Sequence, residues 1–190
     1  MTKALINLIT IACILSVLQG CAAVVVGAGA GVASAAHDRR TLGSQIDDKT
    51  ATARLSSAFS KNKALDAANI DITVFNGIVL LAGQAPTEEL RNEISRTAQS
   101  VKNLRKIHNQ IRIGKPIPAS VSANDVWLAS KVKGALLTDE RIDGLHIEVE
   151  VEDSEVFLLG LVKASEADIA VDVARNINGV AKVIKAFEEI

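Results

Sequence analysis

The chain contains no tyrosine, one tryptophan and four phenylalanines in 190 residues, so any core must be built from Leu, Ile, Val and Ala. Of its two cysteines, Cys13 lies inside an N-terminal leader, and the mature chain is left without a thiol pair for a disulfide. The three histidines, His37, His108 and His146, stand at no metal-ligand spacing with one another or with a cysteine. No thiol nucleophile remains besides Cys21, and no convergent set of polar groups suggests catalysis, so neither an enzyme, a metal nor a cofactor is expected. The glycines of Gly27-Ala-Gly-Ala-Gly31 lack the preceding strand and following helix that a dinucleotide loop requires. An excess of charge is missing too. Without the leader's single lysine, twenty bases face 22 acids for a net of −2, which argues against nucleic acid as a partner.

What is present begins at the N-terminus. Lys3 supplies a short basic region, Ala4 to Leu18 an apolar core, and Leu18-Gln19-Gly20-Cys21 a small residue directly before a cysteine. The run is too short, and too closely followed by a cleavage site, to span a bilayer. The four residues resemble a bacterial lipobox, although Gln19 stands where a small or β-branched residue is commoner. That resemblance implies cleavage after residue 20 and acylation of Cys21. Two or three acyl chains make release negligible, since each buried methylene contributes about 0.8 kcal/mol. Ala22, rather than an aspartate, follows the cysteine, which points to the outer membrane, with the chain facing the periplasm. Residues 21–45 then read as an acylated N-terminus and flexible tether.

The rest is a repeat. Laid over the chain from Asp48, the segment from Asp125 matches without a gap for about 35 residues: Leu55 on Val132, Ile70 on Ile147, Val79 on Val156, Leu81 on Leu158 and Gly83 on Gly160. After one deletion near Pro86, Ala98, Val101, Leu104 and Ile107 fall on Ala174, Ile177, Val180 and Val183. Each copy predicts helix, strand, strand, helix, strand. Thr50 to Lys61 and Asn124 to Thr138 have helical apolar spacing; Asp71 to Phe75 and Ile147 to Glu152 alternate as half-buried strands. Asn76-Gly77 and Asp153-Ser154 mark hairpins, with return strands expected over Ile78–Ala82 and Val156–Leu159, closed by Gly83 and Gly160. Pro86-Thr87-Glu88-Glu89 and Ala164-Ser165-Glu166 offer starts for the second helices, and Arg105–Ile113 and Lys182–Phe187 final strands. Lys115-Pro116-Ile117-Pro118 separates the copies as a stiff joint. Glu148, Glu150 and Glu152 read as the wet face of a half-buried sheet, not as a calcium site.

The strand–turn–strand pattern ending in glycine (Gly77-Ile-Val-Leu-Leu-Ala-Gly83; Glu155-Val-Phe-Leu-Leu-Gly160) and Gly179-Val180 ahead of the last strand resemble the BON domain, with Asn103 in place of that glycine in the first copy. The expected fold is therefore α+β: two tandem αββαβ BON domains, each a three-stranded sheet packed on two helices, behind a lipoprotein signal (1–20) and tether (21–45). The first domain is expected over 46–114, a linker over 115–120 and the second domain over 121–190. Two such domains behind a lipobox are similar to the dual-BON outer-membrane lipoproteins of Gram-negative bacteria. The resemblance implies anionic phospholipid, phosphatidylglycerol or cardiolipin, bound through the first helix of the second domain, a role in envelope integrity, and enrichment at division sites.

That helix carries its own signal. With Leu128, Val132, Ala135 and Leu136 on the core side, a 100° step per residue puts the sole tryptophan, Trp127, on the outward side. Lys131 and Gly134 flank it, and Ser130 and Leu137 lie on the adjoining side; Thr50 is its counterpart in the first copy. An aromatic ring beside a cation suits a bilayer headgroup region. The lipid-binding set expected is Trp127, Ser130, Lys131, Lys133, Gly134 and Leu137. Charge runs against a simple electrostatic reading: 46–113 carries +3 and 121–190 carries −7. Binding by the second domain requires its acids to lie on the sheet, away from the helix. The rival expectation is a protein-interaction module that docks onto outer-membrane assembly machinery with Trp127 as a buried anchor.

Overall fold

The computed structural model describes residues 38–190. The leader, Cys21, His37 and most of the expected tether lie outside the described residues. The element order is α1 (Leu42–Lys61), β1 (Asn69–Phe75), β2 (Ile78–Ala85), α2 (Glu88–Gln99), β3 (Lys106–Asn109) and β4 (Arg112–Ile113), then α3 (Ala119–Thr138), β5 (Ile147–Glu152), β6 (Glu155–Val162), α4 (Ala164–Arg175), β7 (Lys182–Lys185) and β8 (Glu188–Glu189). A short 3-10 turn precedes the hairpin of each copy, at Lys63–Leu65 and Gly144–His146. No described helix is long and apolar enough to cross a membrane.

In each copy an antiparallel hairpin is extended by a strand parallel to its second member, giving the orders β1-β2-β3 and β5-β6-β7. The third strand is interrupted. Its continuation, β4 or β8, pairs further along the same β2 or β6, so each sheet is three strands wide although four strands long in count.

Several boundaries differ from the sequence expectations. Helix α1 begins at Leu42, inside the segment read as tether, because the Thr41 hydroxyl accepts the Ser44 amide at 3.0 Å and caps it. Helix α3 begins at Ala119, inside the expected linker, directly after Pro118, whose backbone is already extended. Strands β2 and β6 do not stop at Gly83 and Gly160 but run through them. There a Cβ would lie 2.3 Å from the Asn69 carbonyl oxygen or 2.5 Å from that of His146, so close strand approach, rather than strand termination, is what the glycines serve. Asn103 takes φ 66 where Gly179 takes φ 105, an asparagine tolerating the left-handed turn before the last strand.

Among the described residues, three apolar clusters form the core. Leu55 and Phe59 of α1, Val79 and Leu81 of β2, and Ile94 and Ala98 of α2 fill the first domain; Val132, Leu136, Val156, Leu158, Ala170 and Ala174 fill the second. The third cluster is formed by the opposite faces of the two sheets: Phe75, Leu80 and Ala82 meet Phe157, Leu159 and Ala186. Strand β2 is consequently buried at every position, which accounts for its nearly unbroken apolar run.

That third cluster corrects the reading of Glu148, Glu150 and Glu152. Their face of β5 is not a wet face; it is the one turned to the first domain. Glu150 accepts the Thr73 hydroxyl at 2.9 Å, Glu152 accepts the Gln84 side-chain amide, and only Glu148 stays exposed. Around this rim Arg112 pairs with Asp153, and Glu188 accepts both Arg105 guanidinium nitrogens at 2.7 Å and the Asn76 side chain at 2.7 Å. Desolvation raises the carboxyls of Glu150, Glu152 and, although its side chain is still partly exposed, Asp71 from their ordinary values, with neighbouring carboxylates adding to the shift of the two glutamates and the bonds from Thr73 and Gln84 opposing it.

Candidate functional site

One buried aspartate organises each hairpin. Asp48 on α1 accepts the backbone amides of Asn76 and Gly77, both at 2.7 Å; Asp125 on α3 accepts those of Asp153 and Ser154 at 2.7 and 2.9 Å. All four turn residues have positive φ, as a two-residue type I′ hairpin requires. The second turn lacks glycine, so the two charge-assisted bonds to Asp125 offset a conformation that Asp153 and Ser154 would otherwise resist. The aspartates are 4% and 3% exposed. The signal for them was present in the sequence: identical residues at one repeat position, each 28 and 29 residues ahead of its turn. Through Asp125 the helix α3 is fixed to the hairpin, with its apolar side against the sheet.

Leu128, Val132 and Leu136 are fully buried, and the opposite stripe is open. Trp127 is 58% exposed, with Val126 beside it and Leu137 further along the helix also exposed. Lys131 holds its ammonium 4.2 Å from the centre of the Trp127 ring and donates to the Asn178 carbonyl at 3.1 Å. The other lysine behaves differently. Lys133 lies on the far flank of the stripe and turns inward, donating to the Gly144 carbonyl at 3.0 Å and to that of Ile147. Burial pushes its ammonium below the ordinary lysine value, against the pull of Glu148 and Asp143.

Ser130, Lys133, Gly134 and Leu137 border an open groove of about 470 Å³ whose far wall is Glu148 and Val149 of β5. A Cβ at Gly134 would meet nothing within 4 Å, so this glycine leaves the helix surface open. The structure thus places four of the six expected lipid-binding residues along one groove, and Trp127 with Lys131 beside each other on the helix. Next to the helix end, Gly144 packs so tightly on the backbone of Leu136 and Leu137 that a Cβ there would lie 2.4 Å from an oxygen; its neighbour Leu145 is exposed. Among the described residues no cluster of His, Cys, Asp or Glu has the arrangement of a metal site. His108 and His146 lie apart, on β3 and in the 3-10 turn before β5.

Two αββαβ units in tandem, each with helices on one sheet face and a tight hairpin, define a pair of BON domains, and the chain belongs to that family. The model of the BON domain matches residues 47–115 and 124–189. Among known proteins, the chain is 37% identical to the outer membrane lipoprotein DolP of Haemophilus influenzae over 172 residues, covering 90% of this chain and 89% of that one. It is 35% identical to a 21 kDa hemolysin of Actinobacillus pleuropneumoniae, covering 80% and 79%, and 25% identical to the osmotically-inducible protein Y of Escherichia coli, covering 75% and 72%.

Proposed function

We propose that this chain is a non-enzymatic outer-membrane lipoprotein, acylated at Cys21 and facing the periplasm, whose second BON domain makes a further contact with anionic phospholipid and so supports envelope integrity, with enrichment at division sites. The observation that carries the lipid contact is the outward stripe of α3, where Trp127 is more than half exposed with a lysine ammonium over its ring. The similarity to an outer membrane lipoprotein supports the anchor and the compartment.

The chemistry divides between residues. The Trp127 ring and the Leu137 and Val126 side chains supply apolar surface to the headgroup–acyl boundary. Lys131, bound to a single carbonyl, keeps ammonium hydrogens for a lipid phosphate, whereas Lys133 has committed its ammonium to two carbonyls. Half-burying those apolar groups yields about 1 kcal/mol each, and one lysine at an anionic surface about 1 kcal/mol more. The sum, about 4 kcal/mol, corresponds to a millimolar contact. A contact of that strength is useful on an anchored protein, because a short tether supplies an effective concentration on the order of millimolar.

The test uses a form lacking residues 1–21. Trp127 fluorescence is followed against vesicles of neutral lipid and of phosphatidylglycerol or cardiolipin, with lipid taken to roughly the millimolar range. The expected result is a blue shift confined to anionic vesicles, reduced by salt, with co-sedimentation lost in Trp127→Ala. No shift and no sedimentation sinks the lipid contact at α3 and favours the docking of a protein partner there.

A further inference from the structure

The residues that enter the folded unit from the tether, Asp38-Arg39-Arg40, are tied to both domains by adjacent side chains. Arg39 forms a two-pronged pair with Glu166 of the second domain: Nη1 lies 2.7 Å from Oε2 and Nη2 2.7 Å from Oε1, while Nη1 also donates to the Leu161 carbonyl at 3.0 Å. Glu166 is the third residue of α4 and accepts the Lys163 amide at 2.7 Å, so the guanidinium completes the anchoring of a carboxylate already seated at a helix N-terminus. These partners hold the Glu166 carboxyl down to about 2.

Arg40 grips the first domain. Its Nη1 donates to Asp48 at 2.9 Å, the same carboxylate that pins the first hairpin, and its guanidinium lies 3.8 Å over the ring of Phe75, a member of the cluster between the sheets. Asp38 folds back to receive Arg40 Nε at 3.1 Å and Nη2 at 2.7 Å. Neighbouring residues with full positive charge therefore hold opposite domains, and neither side chain is free to solvate: Arg39 is 24% and Arg40 16% exposed.

We propose that Asp38–Arg40 is a strap that locks the two BON domains face to face and brings the lipid tether out of the folded unit beside α4 of the second domain, making Arg39 a positioning residue for the membrane contact of α3. The proposal rests on the reading that Cys21 is acylated and α3 touches lipid. Asp38 stands seventeen positions after Cys21, a reach of at most about 60 Å when extended. Within that reach, the exit point decides which domain the anchor delivers. With the strap closed the tether is rooted on the second domain. Once the Arg39 pair is released, the root moves to Arg40, held by Asp48 on the first domain, and the effective concentration of α3 at the bilayer falls.

The experiment uses the full acylated chain in vesicles containing a brominated phosphatidylglycerol. Two quantities are read: the rate of tryptic cleavage after Arg40, and quenching of Trp127 by the bromines. In Arg39→Ala, and in Glu166→Gln, which retains an oxygen to accept the Lys163 amide, cleavage is expected to be about tenfold faster, the rate following the population of the released strap. Quenching is expected to fall in the acylated variants, while the same substitutions in a chain lacking residues 1–21 leave vesicle affinity unchanged. Equal cleavage rates in wild type and variants overturn the strap. An equal loss of vesicle binding in the unacylated chain overturns the positioning role, because Arg39 would then act on the shape of α3 itself. If wild-type Trp127 is not quenched at all, the membrane contact fails and the positioning role fails with it; the strap is then judged on cleavage alone.

Discussion

Asp125→Ala is expected to destabilise the second domain by about 3 kcal/mol, and the size follows from what the carboxylate holds. It accepts two backbone amides, at 2.7 and 2.9 Å, from the Asp153-Ser154 turn. Hydrogen bonds to a charged group contribute about 1.5–3 kcal/mol each, but the turn is only half-buried and water recovers part of the loss. The remainder includes the strain of φ 46 and φ 64 at two residues with side chains, which the aspartate no longer offsets. For a chain of this size about 3 kcal/mol lowers the melting temperature by about 6–12 °C. Asp125→Asn, keeping one acceptor oxygen, is expected to lose roughly half as much. Asp48→Ala is expected to exceed both, because Asp48 also receives Arg40 at 2.9 Å. Urea unfolding of the chain lacking residues 1–21, followed by far-ultraviolet circular dichroism, measures all three. Losses within about 0.5 kcal/mol of wild type for Asp125→Ala, the ordinary range for surface substitutions, would refute the pinning argument.

The desolvated acids at the rim between the sheets predict a pH dependence. Asp71, Glu150 and Glu152 hold protons more tightly folded than unfolded, so their contribution to stability grows as pH falls from neutral through their raised values and is complete below the ordinary carboxylate range. Glu166, held at about 2, acts in the opposite sense only as pH drops from the ordinary range toward that value. His108, pushed down by burial, also opposes the trend, so the measurement is a difference: wild type should gain on Glu150→Gln/Glu152→Gln as pH is lowered from about 7 to 5, in urea midpoints at matched ionic strength, and a parallel pair of curves counts against the interface. Gly160→Ala, whose Cβ would lie 2.5 Å from the His146 oxygen, is expected to destabilise by about 3 kcal/mol or to leave the protein insoluble; a well-folded variant melting near wild type contradicts the close approach. Gly134→Ala meets open space on a helix and is expected to stabilise by about 0.5–1 kcal/mol, seen as a raised melting temperature.

The repeat, the element order and the facing of α3 could be read from the chain because they depend on periodicity. Apolar residues every three to four positions set which side of a helix is buried, and alternation sets the faces of β1 and β5, whatever lies beyond them. Asn-Gly and Asp-Ser located both hairpins for the same local reason. The Asp48 and Asp125 pins left a trace in the repeat alignment, but nothing local distinguishes a buried carboxylate from a solvated one at the start of a helix.

Contacts between distant segments left no periodic trace. Alternating glutamates on β5 look the same whether they meet water or another sheet, and only Leu80, Ala82, Phe157 and Leu159 on the second strands hinted that both faces are covered. Lys133 reads as an outward cation, yet its flexible stem let the ammonium reach two carbonyls 11 and 14 residues away. The Arg39–Glu166 pair spans 127 residues. The sequence by itself determined the two αββαβ units and the outward side of α3, since these follow from the spacing of neighbours along one element. The tertiary structure decided which acids are buried, which lysine turns its ammonium inward and which domain each of Arg39 and Arg40 pairs with, since charge burial and ion pairing depend on which surfaces are brought together.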